Sequence, residues 1–199
     1  TFAEFVALAK KKPGEIVHLD VKKLGRFNSI GHRITGRRKG RCSSQSAGWE
    51  YVHVAIDDHS RVARADIFPA QTKHRATAFL FATIAYFKNL GIPVERVMTD
   101  NGSCYRSKTF ARACTKLGIK HIRTKPYTPQ TNGKAERFIQ TALREWAYAT
   151  AFEHSDQRRQ ALLPFLHRYN WHRPHASLAK KPPISRLGLT SNNLLRLHS

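Results

Sequence analysis

Three carboxylates carry the chemistry this chain could do: Asp20, Asp100 and Glu136, in a sequence holding 13 acids against 35 Lys and Arg. Asp20 is among the last residues of the alternating run IVHLDV, Asp100 directly follows the apolar segment VERVMT, and Glu136 opens an apolar helical stripe. Three carboxylates brought together repel one another, and their pKa values rise unless cations neutralise them. Hard oxygen donors of this kind suit Mg²⁺ or Mn²⁺, held by a few carboxylates together with waters and substrate oxygens. Two such ions, about 3.5–4 Å apart, would activate an attacking oxygen and stabilise the leaving one in an in-line phosphoryl displacement. Asp100 and Glu136 have 35 residues between them. Chance also produces that spacing, so by itself it leaves open whether the acids form a site.

Composition narrows the substrate. The 199 residues carry a net charge of +22, with 41% apolar and 10% aromatic side chains, which describes one folded domain rather than a disordered chain. Self-repulsion at that charge opposes compaction unless a polyanion usually sits against the surface. Nucleic acid is the favoured polyanion and an anionic membrane the runner-up. No apolar stretch approaches the roughly 18 residues that span a bilayer, and the cations do not gather on one amphipathic helix. Cys42, Cys104 and Cys114 are odd in number without paired spacing. That argues against a disulfide framework or a zinc site and fits a reducing cytoplasm. No signal peptide opens the sequence, and its start at Thr1 suggests a piece of something longer.

The positioning elements follow from periodicity. Alternation predicts strands over 16–21, 50–56 and about 61–68, with Asp57-Asp58-His59-Ser60 turning the second into the third. Between the first two strands, residues 22–48 read as an inserted polar loop holding eight Lys or Arg and no acid. Helical spacing predicts helices over 73–90 and 107–117, each stopped by Gly, alternating with strands at 94–98 and 119–123. The loop 124–133 precedes a helix expected from Lys134 to Thr150, and a last helix is expected over 156–171. Beyond Arg173 the proline-rich tail reads as irregular until an apolar run at 194–197. This order predicts an α/β fold with a mixed sheet. If the first and fourth strands are neighbours, Asp20 and Asp100 meet at the sheet and the helix after the loop brings in Glu136. Glu136 shares a helix face with Ile139 and Leu143, so its side chain is expected to lean toward the packed side.

The stretch KPYTPQTNGKAERF (125–138) resembles the segment around the catalytic Glu of insertion-sequence transposases in the retroviral-integrase-like DDE superfamily. VMTDNGSCY (97–105) looks like their second Asp motif and VHLDVKKL (17–24) like their first; VAIDDHSRVA (54–63) and YNWHRPHASL (169–178) also look like family positions. The resemblance runs from about residue 15 to 187 in the expected order. It implies an RNase H-like fold, a five-stranded mixed sheet flanked by helices, in a catalytic core over 1–187 with a C-terminal tail at 188–199. It further implies metal binding and catalysis by Asp20, Asp100 and Glu136 with Mg²⁺ or Mn²⁺, as two ions. The expected activity is cleavage at the ends of a DNA element and joining of the freed 3′-OH to target DNA. Element-end and target DNA are then the partners, with a homo-oligomer assembled on DNA and a helix-turn-helix module preceding this segment. Two alternatives stay open: an RNase H-like nuclease that cuts without joining, and a DNA-binding module that has lost its chemistry. One position departs from many relatives, which carry Lys or Arg seven residues after the Glu; here it is Leu143, and the nearest cation is Arg144.

Other residues have simpler readings beside functional ones. Asp57 and Asp58 fit turn chemistry, and Asp66 fits an exposed strand residue or a charge partner. The basic stretch, through Lys22, Lys23, Arg37, Arg38 and Lys39, is expected to meet phosphates rather than bases. Tyr127 and Gln130 in the loop, Lys134 and Arg137 beside Glu136, and Arg144 complete the candidate DNA contacts. Asn101 and Gly102 are expected to shape the turn after Asp100. His167, His172 and His175 fit packing or DNA contact better than zinc, and Trp146, Tyr169 and Trp171 fit the core.

Overall fold

The strand that carries the first acid is longer than alternation alone predicts. β1 (Val17–Gly25) continues through Lys22, Lys23 and Leu24 because β2 (Trp49–Asp57) pairs with it antiparallel along its whole length, from Val17 opposite Asp57 to Gly25 opposite Trp49. The inserted basic segment therefore begins after Gly25, not at Lys22. In the computed structural model, residues 12–30, 36, 47–124 and 132–189 are described.

β3 (Ala63–Phe68) returns antiparallel beside β2. A helix α1 (Lys73–Asn89) follows, then β4 (Arg96–Thr99), α2 (Lys108–Lys116) and β5 (Lys120–Arg123). Both helices start where the sequence supplies an N-cap: the hydroxyls of Thr72 and Ser107 accept from the N–H groups of Arg75 and Phe110, at 3.3 and 3.2 Å. β4 lies parallel to β1 and β5 parallel to β4, so the sheet order is β3-β2-β1-β4-β5. The five-stranded mixed sheet is as expected, and the structure supplies what the sequence left as a condition, that the first and fourth strands are neighbours.

Alternation along β1 builds two cores. Val17 and Leu19 join Phe79, Leu80, Phe87 and Phe110 in one layer, beneath α1 and α2. Leu24 joins Val52, Val54 and Ile56 in the other, covered by α3 (Gly133–Ala142) and α5 (Leu162–Trp171). Asp20, two residues from His18 and four from Leu24, lies on that second face.

The helix expected over 134–150 changes character at Leu143. Leu143–Ala147 is one π turn, with Tyr148 N–H donating to the Leu143 carbonyl at 3.0 Å. Trp146, within this turn, is buried as its helical spacing predicts, and its indole N–H donates to the Arg158 carbonyl at 2.8 Å. The last helix divides at Ala161 into α4 (Ser155–Gln160) and α5. The tail is more regular than its prolines suggest: short 3-10 turns at Ala176–Leu178 and Pro183–Leu187 bury Leu178 and Ile184. The apolar run at 194–197 lies outside the described residues.

Candidate active site

Register brings the two aspartates together. β1 and β4 pair with Val17 beside Val97 and His18 beside Met98, and the same offset carried two residues on sets Asp20 level with Asp100, one residue past the end of β4. Asp20 is half-buried and accepts a hydrogen bond from the Val21 N–H at 2.7 Å. Burial pushes its carboxyl up to about 6, and the charges of Asp100 and Glu136 push in the same direction.

The turn after β4 holds Asp100 at the solvent edge. Its Oδ1 accepts from the Gly102 N–H at 2.9 Å, and a Cβ at residue 102 would lie only 3.0 Å from that oxygen, so glycine leaves the carboxylate room. Asn101 donates through Nδ2 to the Thr124 carbonyl at 2.8 Å, tying the turn to the end of β5. The expected structural role of these two residues is what the geometry gives. Tyr105 is buried nearby, its hydroxyl pushed well above the ordinary range by burial and by the neighbouring Cys104, Asp20 and Asp100.

Glu136 is in the first turn of α3, but its side chain is exposed rather than turned to the packed side. Ala135, Phe138, Ile139 and Ala142 make the buried stripe, and Glu136 falls beside that stripe, next to the exposed Arg137. Asp20 therefore feels the other two acids without the three closing into a cage: among the described residues no group of three acid, His or Cys side chains is already arranged around one ion. None of the three belongs to a salt bridge among the described residues. A set of hard oxygens on adjacent elements, its most buried member already reluctant to ionise, fits divalent cations that supply the missing positive charge.

A buried network next to the acids went unread in the sequence. His18, two residues before Asp20, has Nδ1 3.2 Å from the Asn132 Oδ1 and Nε2 3.2 Å from the Asp58 Oδ1. Asn132 also donates to the Leu19 carbonyl at 3.4 Å, and Lys134 Nζ approaches Asp58 Oδ1 at 4.0 Å. Burial pushes the Asp58 carboxyl up, but the hydrogen bond from His18 and the ion pair with Arg61 outweigh it and hold the group below its usual range. The turn reading holds for Asp57, whose oxygens accept from the Gly14 N–H, the Ser60 N–H and the Ser60 hydroxyl at 2.8, 2.6 and 2.6 Å. Asp58 does more than turn the chain. The only sequence signal would have been the shared face of His18 and Asp20.

The remaining candidates scatter. Lys22 is exposed on the face of Asp20, and its charge favours that carboxylate's ionised form. Lys23 points to the opposite face, its ammonium 3.9 Å from the ring centre of the exposed Trp49. Burial holds the pKa of His175 down, and the charges of Arg61, Arg173, Arg137 and Lys134 act on it in the same direction. Arg144 is exposed and donates to its neighbour Glu145 at 3.4 Å. Arg37, Arg38, Lys39, Tyr127 and Gln130 lie outside the described residues. Asp66 is a charge partner, 2.6 Å from Arg64. His172 and His167 approach through their Nε2 atoms at 3.3 Å, whereas His175 meets the Ser177 hydroxyl at 3.0 Å. Trp146 and Tyr169 are core residues and Trp171 packs on the core's edge.

Two family models described as integrase core domain match the sequence, one over residues 10–129 and the other over residues 117–183. The chain belongs to the integrase core domain family. Relatives of this integrase core domain include the Gag-Pro-Pol polyprotein of Mason-Pfizer monkey virus, 39% identical over 95 residues that make up 47% of this chain and 5% of the polyprotein. The protein named "Putative integrase ORF3" of Spiroplasma virus SpV1-C74 is 28% identical over 71% of this chain and 42% of its own length. "Putative transposase InsD for insertion element IS2E" of Escherichia coli (strain K12) is 32% identical over 53% of this chain and 50% of that protein. The integrase core domain thus spans half or less of each of these proteins.

Among solved structures, the simian T-cell lymphotropic virus intasome in complex with PP2A regulatory subunit B56 gamma superposes with a TM-score of 0.66 at 23% identity, over 90% of this chain and 56% of that one. The catalytic core domain of BIV integrase gives 0.57 at 19% identity, over 86% and 92%. The fold is RNase H-like. In this integrase core domain the tail motif YNWHRPHASL is a clamp: Asn170 pairs both ways with the Ala63 backbone at 2.8 Å, and Arg173 grips Glu145 through two bonds of 2.8 Å.

Proposed function

We propose that this chain is the catalytic core of a transposase or integrase that cuts DNA strands and joins a 3′-OH to new DNA, with Asp20, Asp100 and Glu136 as its catalytic carboxylates. The observation that carries the reading is the β1–β4 register, which sets Asp20 level with Asp100 just past the end of β4, with both Asp100 and Glu136 within electrostatic reach of Asp20. Mg²⁺ or Mn²⁺, as two ions, would activate the attacking oxygen and stabilise the leaving one. Asp20 and Asp100 would hold the ions from the sheet side and Glu136 would complete the site from its helix. Lys22 and the cations Lys134 and Arg137 lie beside the carboxylates in sequence and meet the DNA backbone, an interaction that weakens steeply as salt rises. Membership in a family of integrase cores and the +22 charge support DNA as the substrate. Pairing two DNA ends calls for more than one protomer, so a homo-oligomer forms on DNA.

The test has two steps. Mg²⁺ or Mn²⁺ added with a short duplex is expected to raise the melting temperature of wild type and not of Asp100→Asn, because only a protein that binds the ion is stabilised by it. Equal behaviour of the two proteins refutes the metal site. Joining of a labelled duplex end to plasmid DNA then separates a transposase from a nuclease: cleavage products without joined product would assign the nuclease chemistry instead.

A further inference from the structure

The carboxylate of α3 must find Asp20 from a helix that begins directly after a loop, and the packing of that helix's apolar stripe does not by itself fix where its first turn sits along β1. Asn132 is the N-cap of α3, a position where Asn ordinarily bonds the second or third N–H of its own helix. Here it makes no such bond. Both ends of its amide go to β1 instead, Oδ1 to His18 and Nδ2 to the Leu19 carbonyl. His18 is 4% exposed and its second nitrogen is held by Asp58, so the ring bridges three separate elements: β1, the β2–β3 turn and the start of α3.

The lengths of the two steps beyond this bridge match. From His18 to Asp20 is two residues along one strand face, about 6.6–6.8 Å. From Asn132 to Glu136 is four residues along a helix, about 6 Å. Fixing Asn132 against His18 therefore leaves Glu136 within reach of Asp20, and the charge of Glu136 does act on that carboxyl. Asp58 holds His18 from behind and approaches Lys134, on the turn between Asn132 and Glu136.

We infer that His18 is a positioning residue, whose bridge between Asn132 and Asp58 sets Glu136 against Asp20 for metal binding. The inference rests on the proposed carboxylate site. It is tested with the full chain and Mn²⁺ as the probe, its binding followed by electron paramagnetic resonance with and without a short duplex, in wild type, Asp20→Asn, Glu136→Gln, His18→Ala, His18→Gln and His18→Ala/Glu136→Gln.

Removing His18 is expected to weaken Mn²⁺ binding by roughly ten- to a hundred-fold, the usual loss for a residue that orients a ligand. It is expected to add nothing once Glu136 is already Gln, and His18→Gln, which keeps an N–H donor, is expected to restore most of the affinity. If His18→Ala fails to fold, Asn132→Ala takes its place in the same cycle. A folded His18→Ala or Asn132→Ala protein that binds Mn²⁺ like wild type, while Asp20→Asn and Glu136→Gln do not, overturns the positioning role alone. A loss that is undiminished in the Glu136→Gln background overturns it as well. No effect of Asp20→Asn on Mn²⁺ binding overturns the carboxylate site, and the inference with it.

Discussion

Arg158 and Glu50 form an ion pair with no access to water: Nη2 lies 2.8 Å from Oε2, and each side chain is 1% exposed. The same guanidinium donates to the Gly25 carbonyl at 2.8 Å and covers the Phe27 ring at 4.9 Å, so the pair fastens α4 to the point where β1 ends and the basic segment begins. Glu50→Ala leaves that cation buried and unpaired, at an expected cost of about 3–5 kcal/mol. Arg159, 3.0 Å from the other Glu50 oxygen but 43% exposed, is expected to matter by about 1 kcal/mol or less when replaced by Ala. Urea denaturation of the two variants measures the contrast, and equal losses would refute the assignment of the buried partner.

His53 predicts an acid-sensitive fold. Its ring is fully buried between Phe68 and Phe79, neither nitrogen has a hydrogen-bond partner among the described residues, and burial pulls its pKa down from 6.5 to about 4. The unfolded chain then binds the extra proton first, so this stability is complete above pH 6.5 and is lost as pH falls from 6.5 toward 4. The loss attributable to His53 is roughly 3 kcal/mol. His53→Leu is expected to flatten that part of the stability–pH curve, measured by denaturant titration at several pH values; an unchanged slope would discount the residue.

Asp20 responds to its neighbours. Burial is the largest reason its carboxyl titrates near 6, and Asp100 and Glu136 add to it. Asp100→Asn removes one like charge, so the Asp20 titration followed by carboxyl ¹³C NMR is expected to move down while staying above 3.8, where burial still holds it. The sign for stability is opposite to that of His53. With its folded value above its unfolded one, Asp20 favours the metal-free fold below pH 3.8 and loses that contribution as pH rises through about 6. A titration that does not move in Asp100→Asn would place the two acids out of contact.

Gly102→Ala tests the turn that holds Asp100. The new methyl would press on a carboxylate oxygen at 3.0 Å without entering the core. Mn²⁺ affinity is expected to fall several-fold while unfolding free energy changes by less than about 1 kcal/mol. A variant that binds Mn²⁺ like wild type would show that the turn tolerates the crowding.

Much of the architecture was legible because it is local. Alternation marked the strands, helical spacing with a stop at Gly91 and Gly118 marked α1 and α2, and the order of elements predicted the mixed sheet. The errors share a cause. Lys22–Leu24 read as loop because they are polar or flank Gly25, yet β2 supplies a partner for each. The π turn at Leu143–Ala147 and the bond from Trp146 to Arg158, a residue on another helix, carry no local signal. Glu136 read as packed because helix periodicity assigns a face but not how far the covering layer extends.

The sequence by itself determined which groups could do chemistry, three isolated acids in a chain of net charge +22, and the order of elements that carries them. Only the tertiary structure decided how they are held. His18 meets Asn132 across 114 residues and Glu50 meets Arg158 across 108, and no periodicity of 2 or 3.6 residues can announce a partner at that distance. Short-range pattern follows from backbone geometry repeated every few residues, whereas a buried hydrogen bond between distant residues exists only once the sheet and helix have packed.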